Sequence, residues 1–135
     1  VFSYMEAGEK YGLQTFQPSS YKRTKFLLEY IDTLTKNECL DFIADVMGTG
    51  INSYESVPAA FAIFKLYPED AAKAFAAAVD IGGDTDSTAA LVGALVGAHN
   101  GLAIFEDKWI EELEQVNSMS LKELGRSLVA LRENK

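Results

Sequence analysis

A chain of 135 residues, 48% of them hydrophobic, is long enough to bury a core and sets one compact unit as the expectation. Its 12 basic against 20 acidic residues give a formal net charge of -8, which excludes a nucleic-acid or anionic-membrane surface because both need positive potential. The single cysteine, Cys39, cannot form an intramolecular disulfide, and no basic stretch followed by an apolar run opens the chain, so the expected location is the cytoplasm.

In chain order, residues 1–21 mix aromatics with Gly8, Gly12 and Pro18 without sustained periodicity and read as irregular. From Lys22, the residues Phe26, Leu27, Tyr30 and Ile31 recur at helical spacing, predicting a helix to about Thr33. Thr35 and Glu38 have the spacing of a capping box for a second helix. Its apolar stripe is Cys39, Phe42, Ile43 and Val46, and Gly48 stands at its C-terminal cap.

Gly48, Thr49, Gly50 and Ile51 then read as a loop, with Ser56 capping a helix from about Val57 and Pro58 in its first turn. Pro68 opens an alanine-rich helix with Ala71, Ala72, Phe75, Ala76 and Val79, which ends at Gly82 and Gly83. The apolar run Ala89 to Ala98 is too short to span a membrane and predicts a core helix stopping near Gly101. Asp107 caps a short helix carrying Trp109, Ile110 and Leu113. Ser120 and Glu123 start a last helix with Leu121, Leu124, Leu128 and Leu131 on one face. No run alternates as a strand would.

Asp84, Asp86 and Ser87 place three oxygen-bearing side chains within four residues at a glycine turn. Two readings stand side by side. One is a helix start, with Asp84 as N-cap and Asp86 in the first turn. The other is part of an oxygen shell for a hard cation such as magnesium, which is held by few carboxylates and keeps several waters. A calcium loop of EF-hand type fails, since its sixth and twelfth positions would be Ala89 and Leu95. Asp84, Asp86 and Thr88 also satisfy the Asp-x-Asp-x-Thr pattern of aspartate-nucleophile phosphatases, but that pattern follows a strand and here an alanine-rich helix precedes it.

The longer string from Gly82 to Gly101 resembles the C-terminal signature of the ADP-ribosylglycohydrolase family, also called the dinitrogenase reductase-activating glycohydrolase family. Upstream, Gly48-Thr49-Gly50-Ile51 followed by Glu55-Ser56-Val57-Pro58-Ala59-Ala60 is similar to that family's glycine loop and following helix. Downstream, Ile104 to Trp109 is similar to its Ile-Pro-x-x-Trp segment, with Phe105 in place of the proline.

The resemblance implies an all-α fold, a compact multi-helix orthogonal bundle, of which residues 1–135 form a single partial domain at the C-terminal end. It implies that Asp84, Asp86 and Ser87 are ligands in a two-magnesium centre and that Gly48, Thr49, Gly50 and Ile51 line the ADP-ribose cleft. The implied activity is magnesium-dependent hydrolysis of ADP-ribose from an ADP-ribosylated protein or small ADP-ribosyl molecule. The family also uses an N-terminal Ser/Thr-Asp-Asp cluster and an upstream catalytic carboxylate. This sequence has no Asp-Asp pair and begins at Val1, so the expectation is that the N-terminal part of the domain is missing and that the chain alone is inactive. The alternative, from another class, is a non-catalytic ADP-ribose-binding or structural member that keeps the fold without the chemistry.

Overall fold

Helix is the local state of nearly every segment of the computed structural model, which describes residues 2–12 and 16–133. Among them are eight α-helices and no strand: α1 Phe2–Tyr11, α2 Ser20–Tyr30, α3 Lys36–Phe42, α4 Ser53–Leu66, α5 Ala71–Asp80, α6 Thr85–Asn100, α7 Asp107–Asn117 and α8 Leu121–Glu133. Length alone sets one compact unit. The described residues instead form two, one running through Ile104 and the other starting at Phe105. No helix among them is long and apolar enough to cross a membrane.

The first difference from the sequence reading is at the N-terminus, where residues 1–21 read as irregular but α1 spans Phe2–Tyr11. No apolar stripe announces this helix, and Gly8 weakens it by roughly 1 kcal/mol relative to alanine. It packs against α2 instead, and Glu9 pairs with Lys22 at 3.3 Å. The second helix also starts earlier than its apolar residues suggest, because the Ser19 side chain accepts from the Lys22 backbone N–H and caps it. A single 3-10 turn, Ile31–Thr33, carries it to the expected end.

The Thr35–Glu38 box forms as its spacing predicts. The Glu38 N–H donates to Thr35 Oγ1 at 3.4 Å, and the Thr35 N–H donates to Glu38 Oε2 at 2.8 Å. Beyond Phe42 the helix widens into a π-turn, Ile43–Met47, closed by the Gly48 N–H on the Ile43 carbonyl at 3.0 Å. The wider turn shifts the phase of the stripe: Met47 is buried and Val46, expected inside, is exposed.

Helix α4 starts at Ser53, with Asn52 rather than Ser56 at its N-cap. Ser56 is buried inside the helix, where its hydroxyl donates to the Asn52 carbonyl, and Pro58 lies beyond the first turn. The proline ring forfeits an N–H that would have met the Tyr54 carbonyl but fills buried space.

Helix α4 is the centre of the first unit, with α2 against one side and α6 against another, while α5 packs on α6. Leu27, Ile43, Ile63, Val92 and Val96 are fully buried there, each contributing on the order of 1.5–3 kcal/mol. Asp70 rather than Pro68 sets the start of α5, accepting from the Lys73 N–H at 3.0 Å. Its buried face is Ala71, Ala74, Ala77 and Ala78, whereas Ala72, Ala76 and Val79 face out. These small residues let α5 lie close to α6, where the Phe75 ring rests on Gly93.

In the second unit, Glu106 occupies the N-cap of α7 and Asp107, expected there, is its first helical residue. Ser118, in the left-handed region with φ 50°, turns the chain toward α8. The Ser120–Glu123 box forms on one side only. Ser120 Oγ accepts from the Glu123 N–H, while the Glu123 carboxylate pairs with Arg126. The N–H of Leu121 donates to Glu114 of α7 at 2.6 Å, joining the two helices. Leu124, Leu128 and Leu131 are exposed.

Candidate functional site

The glycine loop and the acidic motif, separated in sequence by α4 and α5, meet in space. The backbone N–H of Asp84 donates to the Thr49 carbonyl at 2.7 Å. This bond sets the middle of the loop against the start of α6. Thr49 is almost fully buried, Gly48 and Gly50 are half-buried, and Ile51 stands 84% exposed at the loop's outer end. Of the four loop residues named from sequence, Ile51 is the one whose side chain stands open to solvent.

Asp84 occupies the N-cap position of α6, yet its side chain makes no capping bond. Its carboxyl lies within hydrogen-bonding reach of Asp86. That contact is the largest influence holding the Asp86 carboxyl below the usual carboxylate range, followed by the backbone N–H groups of Ser87 and of Asp86 itself. Those N–H groups lie at the helix N-terminus, whose partial positive charge favours the Asp86 carboxylate. Asp86 and Ser87 are exposed and Asp84 is half-buried. The donors that could enter a hard-cation shell are thus Asp84, Asp86 and Ser87, an all-oxygen set of the type magnesium takes with water completing the octahedron. No group of three or more His, Cys, Asp or Glu side chains among the described residues is arranged around a common point.

Two residues at this site escaped the sequence reading. Glu55 Oε2 accepts from the Gly50 N–H at 2.8 Å, and the Arg23 guanidinium donates to the Met47 carbonyl while lying 5.8 Å from the centre of the Tyr54 ring. Arg23 carried no local signal. Glu55 did: with Asn52 as N-cap it is the third helical residue, where a glutamate ordinarily reaches back toward the preceding turn. Placing the helix start near Val57 hid this. His99, set aside as a packing residue, makes an edge contact with Phe64 at 5.6 Å between ring centres, and Trp109 is half-buried in the second unit. A cleft of about 660 Å³ lies between α1 and the starts of α2 and α4, lined among others by Gly8, Pro18, Lys22, Asn52 and Tyr54, and neither the Gly48–Ile51 loop nor the acidic motif lines it.

The family model for ADP-ribosylglycohydrolase matches residues 4–135, and the chain belongs to this family. It is 27% identical to the uncharacterized protein YegU of Escherichia coli (strain K12) over 124 residues, covering 91% of this chain and 37% of that protein. It is 29% identical to the ADP-ribosylhydrolase ARH3 of Bos taurus over 106 residues, covering 71% of this chain and 28% of that protein. The chain thus spans about a third of the length of these curated relatives. No solved structure matches it significantly.

Proposed function

We propose that this chain carries one half of the active site of a magnesium-dependent ADP-ribosylglycohydrolase, and that the intact domain hydrolyses ADP-ribose from an ADP-ribosylated protein or small molecule. The observation that carries this reading is the bond from the Asp84 N–H to the Thr49 carbonyl, which joins a loop suited to a sugar–phosphate ligand to a start of helix rich in oxygen donors.

In this reading Gly48, Thr49, Gly50 and Ile51 line the ADP-ribose cleft. Ile51 offers an apolar wall, and the glycines, whose β-carbon positions abut Glu55, contribute backbone. Asp84, Asp86 and Ser87 would hold magnesium, which would supply Lewis-acid chemistry that orients the ribose hydroxyls and activates water. Hydrolysis breaks the bond between the anomeric carbon and the acceptor atom. The water oxygen bonds to that carbon, and a water proton leaves with the released acceptor. The carboxylate that takes this proton from water and passes it to the departing acceptor is assigned to a part of the domain outside this chain, so the 135 residues alone do not hydrolyse.

The test is Asp84→Asn and Asp86→Asn in the intact domain, with magnesium-dependent release of free ADP-ribose as the readout. Each change is expected to lower the rate by about 100-fold or more, on the scale of losing a group that stabilises transition-state charge. An unchanged rate overturns the metal reading, and binding without any hydrolysis by the unsubstituted domain identifies a non-catalytic ADP-ribose binder instead.

A further inference from the structure

The Gly48–Ile51 loop is held at three points, and each holds a different part of it. Arg23 donates to the Met47 carbonyl at the entrance. The Asp84 N–H donates to Thr49 from outside. The carboxylate of Glu55 accepts from the Gly50 N–H from inside.

This last contact, 2.8 Å long, leaves no room between the loop and the side chain. A β-carbon placed on Gly50 would lie 2.5 Å from Glu55 Oε2, and one on Gly48 would lie 3.1 Å from Cγ, Cδ and Oε2 of the same side chain. The backbone of the loop is therefore wrapped over the Glu55 carboxylate, and both glycines lie flush on it. Glu55 is half-buried and stands in the first turn of α4, the helix that packs against α2 and α6. A side chain anchored on such a rigid helix transmits the helix position to the loop.

We infer that Glu55 is the positioning residue of the ADP-ribose cleft: its carboxylate fixes the Gly48–Ile51 loop in the shape that receives the ligand. The inference rests on the function proposed above. Glu55 touches neither reacting atoms nor the acidic motif in this role. It acts through the Gly50 N–H, and the Thr49 carbonyl next to it passes the same geometry on to Asp84.

Reach, not charge alone, is what this role requires. Glutamine at position 55 keeps an acceptor oxygen at the same distance, aspartate keeps the charge but is one methylene short, and alanine removes both. The experiment titrates ADP-ribose to millimolar concentration, in magnesium, into the 15N-labelled intact domain and into its Glu55→Gln, Glu55→Asp and Glu55→Ala variants. Affinity is read from the amide signals of Gly48, Gly50 and Ile51, with helical content and Tm measured in parallel.

The expected result is binding within about threefold of the unsubstituted domain for Glu55→Gln, and weakened about tenfold or more for Glu55→Asp and Glu55→Ala at unchanged helical content, the scale of one lost bond to a charged acceptor. A purely structural role would instead lower Tm without this split between glutamine and aspartate. Equal affinity for Glu55→Gln and Glu55→Asp overturns the inference, even where Glu55→Ala fails to fold. Absence of any ADP-ribose response in the unsubstituted intact domain overturns the proposed function, and the inference with it, before a substitution is compared.

Discussion

Gly83 lies directly on the backbone of Thr49. A β-carbon on Gly83 would overlap both the carbonyl oxygen and the hydroxyl of Thr49, while Gly83 itself has φ +75°. Its neighbour Gly82 has almost the same φ, +72°, but open space where a β-carbon would go. The pair separates two demands on glycine, a left-handed backbone and close approach of another segment.

Gly82→Ala is therefore expected to cost only the backbone term, about 1–2 kcal/mol. Gly83→Ala adds displacement of Thr49 and is expected to cost more. Thermal unfolding of both variants checks the order, with roughly 4–8 °C of Tm per kcal/mol for a unit of this size. Hydrogen exchange at the Asp84 amide supplies a second readout: it should quicken in Gly83→Ala, whose Thr49 carbonyl is pushed away, and stay near its original rate in Gly82→Ala.

The buried thiol of Cys39 gives a pH dependence of known sign. Burial pushes its pKa from 9.0 up to about 11. The unfolded chain ionises first, so the stability associated with the neutral thiol is fully present below pH 9 and is lost as pH rises from there toward 11. Denaturant midpoints across this range should fall more steeply for the unsubstituted chain than for Cys39→Ala, which isolates the thiol from lysines and tyrosines. Alkylation of native Cys39 at pH 8 should be slow, because the thiolate is the reactive form.

The Thr35–Glu38 capping box carries the opposite sign. The Thr35 hydroxyl first, then its backbone N–H, holds the Glu38 carboxyl below its ordinary value of 4.5. Its contribution is present above that value and disappears as pH falls through the lowered one. Thr35→Ala should cost about 1 kcal/mol at neutral pH, and the difference from the unsubstituted chain should narrow in acid. Helical signal and unfolding midpoints at pH 7 and below 4 test this.

Core and surface apolar residues should separate sharply. Ile63→Ala removes a fully buried side chain and is expected to cost about 2–5 kcal/mol. Leu128, 60% exposed on α8, should change stability by no more than about 0.5 kcal/mol when replaced by alanine. Denaturant titration of the two variants checks the contrast. A large loss for Leu128→Ala would show that the leucine face of α8 is buried in solution.

Much of this chain was legible from local rules. The helical periods of α2, α3 and α6, the Thr35–Glu38 box and the turn at Gly82 and Gly83 depend on neighbours within a few residues, so sequence spacing exposes them. The all-helical fold and the family resemblance followed from the same segments, and the family match spans both compact units. The α1 helix was not legible, because it leans on α2 rather than on a stripe of its own. Nor was the start of α4, where Ser56 imitates a cap that Asn52 occupies.

What the sequence by itself determined about the acidic motif was its composition: three oxygen donors at a glycine turn before a helix. What only the tertiary structure decided was its company. The bond from Asp84 to Thr49 exists because the packing of α4, α5 and α6 brings the start of α6 to the glycine loop, whereas the bond from Gly50 to Glu55 is local and is set by where α4 starts. Capping and periodicity are set within one turn of helix, whereas a contact between segments separated by two helices depends on how every intervening side chain packs. That packing, and not any local rule, sets Thr49 against Asp84.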